Sequence, residues 1–361
     1  MERSTFRLSS LWALLFGLSL ALSGGAVFSQ DEENTQIVTE AQLRPVIAVQ
    51  RSHEARFFAM PGVVAVGSGL TEDGRPAVHV YVHTNVPSAS AAAIPRQVEN
   101  VPTIVLETDE IQAFELQSGN DPSDAFARPV SMGVSTGNVN GTFAGTLGVR
   151  VFRSGMSDTV GSITNNHVAA AADTSLCPAQ LNPAHAPAFG VEQCQPGRLD
   201  ADGTCVDPPI GELVQAIPIL MGGQFENTVD AAFVSRSRTL VEKTILAIGT
   251  PSPTVHAPAV NLKVRKSGRT TGLTLGTIQT INATVNVRYG ACGVAKFIGQ
   301  ISITPGTFSA AGDSGALILG GTDRAGRRKP VGLLVAGSST ITVANRISDV
   351  LGALHSQIDT N

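Results

Sequence analysis

Apolar positions along this chain change their spacing from one part to the next. Over residues 40–60 they follow the face of a helix, which predicts an amphipathic α-helix there. Pro45 has no amide N–H, so that helix tolerates it only in the first turn, and Pro61-Gly62 ends the element. Residues 63–70 and 77–83 then read as two strands joined by a turn at Glu72-Asp73-Gly74, with 102–106 as a third. Together they predict a small α/β N-terminal domain within 30–125, the right size to stand alone or act as a pro-segment. Residues 117–124, polar and rich in turn formers, are the candidate linker.

Beyond the linker, short strands recur at regular spacing: 145–151, 159–165, 231–234, 276–281, 299–303, 316–319 and 331–336. Turn residues fill the gaps, which predicts an antiparallel barrel or sandwich over 126–361. The length fits two six-stranded barrels, but strand counting alone leaves a sandwich open. No short-period repeat of the solenoid kind occurs.

Composition sharpens this picture. Charged residues make up 15%, Gly 37 and Pro 20 of the 361 residues, and mean hydropathy is +0.15, which favours a mainly β chain and excludes wholesale disorder. A net charge of −4 without a basic block gives no electrostatic reason to bind nucleic acid. At the N-terminus, Arg3 and Arg7 precede a charge-free stretch over 8–27, and Val27 and Ser29 are small residues suited to cleavage after Ser29. A signal peptide over 1–29 implies a secreted or periplasmic protein with no stable membrane partner afterwards; the alternative is an uncleaved N-terminal membrane anchor. Trp12, the one tryptophan, lies in this segment, and the acidic Asp31-Glu32-Glu33 follows it.

Export permits disulfides. Cys177, Cys194, Cys205 and Cys292 leave the pairing open; Cys194 with Cys205 is the favoured choice, closing a loop that holds Gly and Asp. Their spacing is not that of a zinc site. His79 and His83 share a strand face with Tyr81 between them, yet no carboxylate or Cys partner accompanies them, so no metal is expected. The remaining histidines outside the candidate site read as structural. Asp200, Asp202 and Asp207 lie in a Gly/Pro loop and read as solvated; Asp200-Ala201-Asp202-Gly203 lacks the later acidic ligand of a calcium loop.

Three short motifs carry the chemistry: Asn166-His167-Val168, Val229-Asp230-Ala231 and Gly312-Asp313-Ser314-Gly315. A serine hydroxyl attacks at neutral pH only when a histidine takes its proton, and the histidine needs a carboxylate to fix its tautomer. His167, Asp230 and Ser314 are the candidate catalytic residues, in an order that separates the chymotrypsin arrangement from the subtilisin and α/β-hydrolase ones. Gly312 lets its own N–H and that of Ser314 turn to one point as an oxyanion hole. Asp313, beside the nucleophile, wants a buried cation, and Lys266 or Arg269 could supply it.

These motifs, with Ser267-Gly268-Arg269-Thr270-Thr271-Gly272 and Gly276-Thr277-Ile278, resemble the trypsin/chymotrypsin-like serine peptidases and, within them, the bacterial α-lytic-type enzymes. The resemblance implies a chymotrypsin-like double β-barrel and pairs Asp313 with Lys266. Arg265 and Leu275 stand where that group has flanking cysteines. It also implies a specificity pocket near Phe308, Ser309 and Gly337, with no Asp to favour cleavage after Lys or Arg. Pro61-Gly62-Val63-Val64-Ala65-Val66-Gly67, Val80-Tyr81-Val82, Ile94-Pro95, Gln195-Pro196-Gly197 and the Asn-Asn-His form are similar to bacterial trypsin-like proteins related to the plant narrow-leaf type. The implied function is an exported serine endopeptidase acting on protein or peptide substrates, without metal or organic cofactor. The alternative is a double-barrel binding or scaffolding protein, its triad idle beneath the N-terminal domain.

Overall fold

The computed structural model describes residues 36–87, 91–113, 122–141, 143–153, 160–170, 190–206 and 208–361. The expected signal segment 1–29 with Trp12, Asp31-Glu32-Glu33, Cys177, His185, Asp207 and most of the linker 117–124 lie outside these residues. The fold is mainly β, preceded by an α/β N-terminal part, and residues 36–361 form one compact unit.

The helix spans Glu40–Phe58, two residues short of the expected end, and Thr39 with Gln42 forms a capping box at its start. Pro45 is its sixth residue and so sits in the second turn, not the first. The helix tolerates it because Pro45 and Ala41 both face solvent, where water satisfies the Ala41 carbonyl that a residue with an N–H would have bonded. Leu43 and Ile47 pack on the barrel core, whereas Val46 and Phe57 pack on the N-terminal strands. Burying a side chain such as Leu43 contributes about 1.5–3 kcal/mol.

Strands Val63–Leu70 and Pro76–His83 form the expected hairpin, closed by Gly74 at φ +80°. Strand Val101–Thr108 adds in parallel to Pro76–His83. The other edge of the hairpin pairs with a strand of the C-terminal barrel, Ser68 opposite Ile281 and Val66 opposite Thr284. That partner, Gly272–Arg288, runs for 17 residues, far beyond the expected 276–281. One of its edges pairs first with Lys263–Gly268 and then with the hairpin, while the other pairs with Val294–Thr304 from Thr277 to Arg288, with bulges around Thr280 and Ala283.

Six strands close into an antiparallel barrel: Lys263–Gly268, Gly272–Arg288, Val294–Thr304, Leu317–Thr322, Arg328–Gly337 and Thr342–Arg346. Arg265 and Leu275 face each other across the first pair. Ile278, Ile303, Phe308, Ile318 and Leu334 fill the interior. A separate eight-stranded sheet has Val160–Thr164 and Ala232–Ser235 at its centre, over a core of Val149, Ile163, Phe233 and Leu147. The C-terminal helix Ile347–Ala353 returns the chain to this sheet, where Ser356–Ile358 pairs with Val149–Arg153.

His79 donates from Nε2 to Leu70 O at 2.9 Å and accepts at Nδ1 from Thr280 Oγ1 at 2.8 Å, and so stitches hairpin to barrel. With both nitrogens engaged it has no lone pair left for a metal.

Candidate active site

Strand Val160–Thr164 ends at Asn165, and the next turn is the short helix Asn166–Ala169. His167 lies in that turn. Two amides hold the junction: Asn165 Nδ2 donates to Asp230 O at 2.7 Å and Asn166 Nδ2 to Ile217 O at 2.6 Å. The entry into strand Ala232–Ser235 supplies Asp230, whose side chain is fully buried.

The structure brings these two residues together. His167 Nδ1 and Asp230 Oδ2 are 2.5 Å apart, and the His167 backbone N–H donates to Asp230 Oδ1 at 3.3 Å. A third donor was missed in the sequence: the Tyr289 hydroxyl donates to Asp230 Oδ2 at 2.9 Å. The Tyr289 ring also stands edge-on to His167, with centroids 5.8 Å apart. Burial and the neighbouring Asp230 carboxylate hold the Tyr289 phenol well above its ordinary range, so it stays a donor. Three donors thus satisfy a carboxylate that has no access to water. Behind it, Asn345 Oδ1 accepts the Asp230 N–H at 2.9 Å, and Gln300 Oε1 orients Asn345. The only sequence signal for Tyr289 is a hydroxyl-bearing ring just past an apolar strand, which must find a partner when buried.

Ser314 comes from the other side, on the loop before strand Leu317–Thr322, and is 1% exposed. A methyl group at Gly145 would stand 2.4 Å from Val168 Cγ2 and 3.0 Å from Ser314 O, so this glycine lets the loop approach the turn that bears His167. Ser314 Oγ donates to Val335 O at 3.4 Å, and no hydrogen bond joins it to His167. His167 Nε2 is buried and has no partner among the described residues. Gly312 adopts φ +95°, and neither its N–H nor that of Ser314 has an acceptor among the described residues. The intervening Asp313 N–H is committed to Ala310 O at 3.0 Å.

Asp313 and Lys266 are both fully buried, with Nζ 3.3 Å from Oδ2. Four further donors reach the carboxylate: Thr270 N at 2.8 Å, Thr271 N at 3.2 Å, Thr271 Oγ1 at 2.6 Å and Ala310 N at 3.0 Å. Burial pulls the Lys266 ammonium below its ordinary range, and Asp313 opposes that pull. Lys266→Met is expected to cost about 3–5 kcal/mol in urea denaturation, because it leaves a buried carboxylate without its cation. A loss under ~1 kcal/mol would mean that the four uncharged donors suffice.

Arg269, the other candidate cation, pairs instead with Asp200, and this corrects the solvated reading of that aspartate. The Asp200 side chain is 5% exposed and also accepts from Ser135 Oγ at 2.6 Å. Burial of the Arg269 guanidinium, 1% exposed, draws a carboxylate in with it. Cys194 and Cys205 form the favoured disulfide and close the loop that carries Asp200.

The three residues expected to line a pocket are all buried. Phe308 is 1% exposed inside the barrel core, because its ring fills the space beneath Lys266. Ser309 Oγ is bonded to Thr342 Oγ1 at 2.6 Å. Gly337 is paired through its backbone with Gln112.

Residues 236–347 match the model of the Nal1 C-terminal domain family, which is less than half of the chain. No curated protein matches. Among solved structures, the chain is similar to a Nocardiopsis protease (17% identity, TM-score 0.42) over 64% of this chain and 99% of that one. Thermobifida fusca protease A aligns over the same shares, at 19% identity and TM-score 0.40. A glutamic acid specific serine protease aligns over 64% of this chain and all of its own, at 15% identity and TM-score 0.41. Similarity at this level decides no chemistry, which rests on the side chains of this chain.

Proposed function

We propose that the chain is an exported serine endopeptidase with His167, Asp230 and Ser314 as its triad. The observation that carries the reading is the buried His167–Asp230 pair, with Nδ1 engaged and Nε2 left without a partner. That is the tautomer a general base needs: the proton sits on Nδ1 and the lone pair on Nε2.

Attack requires Ser314 Oγ to leave Val335 O and hydrogen-bond to His167 Nε2. As Oγ attacks the scissile carbonyl carbon, its proton passes to Nε2 and the carbonyl oxygen takes the negative charge. The Gly312 and Ser314 N–H groups hold that oxygen. The C–N bond then breaks, Nε2 gives its proton to the departing amine, and an ester remains on Ser314. Water, deprotonated by His167, attacks the ester carbonyl; the bond to Ser314 Oγ breaks as His167 Nε2 returns the proton to Oγ, and the acid leaves. Asp230 stabilises the imidazolium in both steps, and Tyr289 positions Asp230.

Export is supported by the signal-like pattern of 1–29 and by the Cys194–Cys205 disulfide, a bond that persists in oxidising compartments. No helix among the described residues is long and apolar enough to cross a membrane. A second reading, an idle triad in a binding protein, has one observation in its favour: Ser314 Oγ bonds to Val335 O and not to His167.

A fluorophosphonate probe separates the two readings. Incubation of the full chain is expected to yield one adduct, located on Ser314 by mass spectrometry, and a peptide library is expected to be cleaved slowly by the wild type and faster by a Gln112→Pro variant. Absence of an adduct in the wild type and in the Gln112→Pro variant introduced below sinks the endopeptidase reading.

Tyr289→Phe tests the positioning role. Loss of a hydrogen bond to a buried carboxylate is expected to lower kcat roughly tenfold or more with KM unchanged. A parallel loss of thermal stability with kcat intact would make Tyr289 structural only.

A further inference from the structure

Past its pairing with Leu317–Thr322, one edge of strand Arg328–Gly337 runs on beside the candidate nucleophile. Along that edge Leu334 bonds with Gly315 and Ala316, and Val335 O receives Ser314 Oγ. Two residues on, Gly337 exchanges both backbone hydrogen bonds with Gln112: Gln112 N to Gly337 O at 3.0 Å, and Gly337 N to Gln112 O at 2.9 Å. The opposite wall is the end of the long strand, where Arg288 N donates to Ile111 O at 3.1 Å and Ala113 N to Arg288 O at 3.2 Å. Backbone hydrogen bonds therefore hold residues 111–113 from both sides.

Their side chains alternate as in a strand. Ile111 is 1% exposed, in the apolar cluster that holds Tyr289, Phe297, Val335 and Ala336; Gln112 is exposed; Ala113 is half-buried on the same cluster. The bridge to Gly337 is antiparallel, so passing from Ile111 to Ala113 moves back along the strand from Gly337 towards Val335, and hence towards Ser314. Main-chain bonds for affinity and alternate side chains for selectivity are how a sheet edge binds an extended peptide.

We infer that Ile111, Gln112 and Ala113 occupy in cis the groove for a peptide ligand, one that presents a branched aliphatic residue and, two positions towards its C-terminus, a small one. The groove is thus blocked by the chain that owns it. This rests on the peptidase reading only in taking the ligand to be a substrate. A tethered occupant acts at an effective concentration on the order of millimolar, so free peptide at micromolar level competes poorly.

The test uses the full chain carrying Ser314→Ala, so that no chemistry intervenes, and fluorescently labelled acetyl-Ile-Gln-Ala-amide as probe. Gln112→Pro removes the N–H that Gly337 O accepts, and is expected to raise affinity for the probe by roughly tenfold or more. Bound probe should restore hydrogen-exchange protection to the Gly337 amide, and acetyl-Ile-Pro-Ala-amide should fail to bind. Asp109→Ala, which releases the segment where Asp109 Oδ1 accepts from Ser339 N and Oγ, should act in the same direction with a smaller factor and covers the case in which Gln112→Pro does not fold. Affinity equal to the Ser314→Ala parent in every folded variant overturns the inference, even if Ser314 is labelled readily. Raised affinity with no labelling of any chain that keeps Ser314 upholds the groove and sinks the peptidase.

Discussion

Ser314→Ala is expected to abolish fluorophosphonate labelling and to lower peptide turnover by ~10⁴-fold or more, while the protein unfolds at an unchanged temperature. The two results separate because the hydroxyl does so little for the fold. Its one hydrogen bond among the described residues is the 3.4 Å contact with Val335 O, and alanine occupies the same space without strain. The neighbouring contacts that shape the loop, Thr146 N to Ser314 O and Gly315 N to Leu334 O, use backbone and survive the substitution. Turnover within tenfold of the wild type would assign the nucleophile elsewhere.

Asp230→Asn is the second large effect, with kcat expected to fall by about 10⁴-fold at neutral pH. The amide is nearly isosteric, and the N–H of residue 230 still reaches Asn345 Oδ1. The change is one of polarity. Three donors converge on the carboxylate, from His167 Nδ1, His167 N and the Tyr289 hydroxyl. An amide accepts with one oxygen only, so its NH₂ is turned either against another donor or onto Nδ1. In the second case the imidazole proton moves to Nε2, and no lone pair faces Ser314. Preserved kcat in Asp230→Asn would remove Asp230 from the triad. Asp200 is a poor replacement, since it is already committed to Arg269 and Ser135.

What could be read in the sequence was local. The motifs around His167, Asp230 and Ser314 put chemically informative residues next to distinctive neighbours, and the hairpin at Gly74 followed from turn chemistry. The helix was legible because its apolar positions repeat, but Pro45 was assigned too early a turn, since solvent at Ala41 is a tertiary property. Strand Gly272–Arg288 was read at a third of its length because Asn282 and Thr284, following Thr280, interrupt the apolar pattern beyond Ile281. Those positions are buried, with Thr280 bonded to His79 and Tyr81, and no alternation rule marks a polar residue whose partners lie about 200 positions away. Asp200 misled for the same reason: Arg269, its partner, is 69 residues on. Tyr289 belongs to no motif, and only its distance to Asp230 gives it a role.

The sharing of one long strand between hairpin and barrel bears on what proteolysis could do to this molecule. Residues 65–68 cover the backbone edge of 281–285 much as a cork covers a bottle. A cut in the connection ahead of residue 126 would sever the chain without uncovering that edge, because the strand pairing, the packed helix and the His79–Thr280 bond would all still hold the N-terminal piece in place. Stripping the piece away would bare a row of unpaired amides and carbonyls flanked by apolar side chains, a ready template for a second chain to add to. A nicked form would therefore persist as a two-chain particle, and a chain made without its first hundred residues would be prone to self-association.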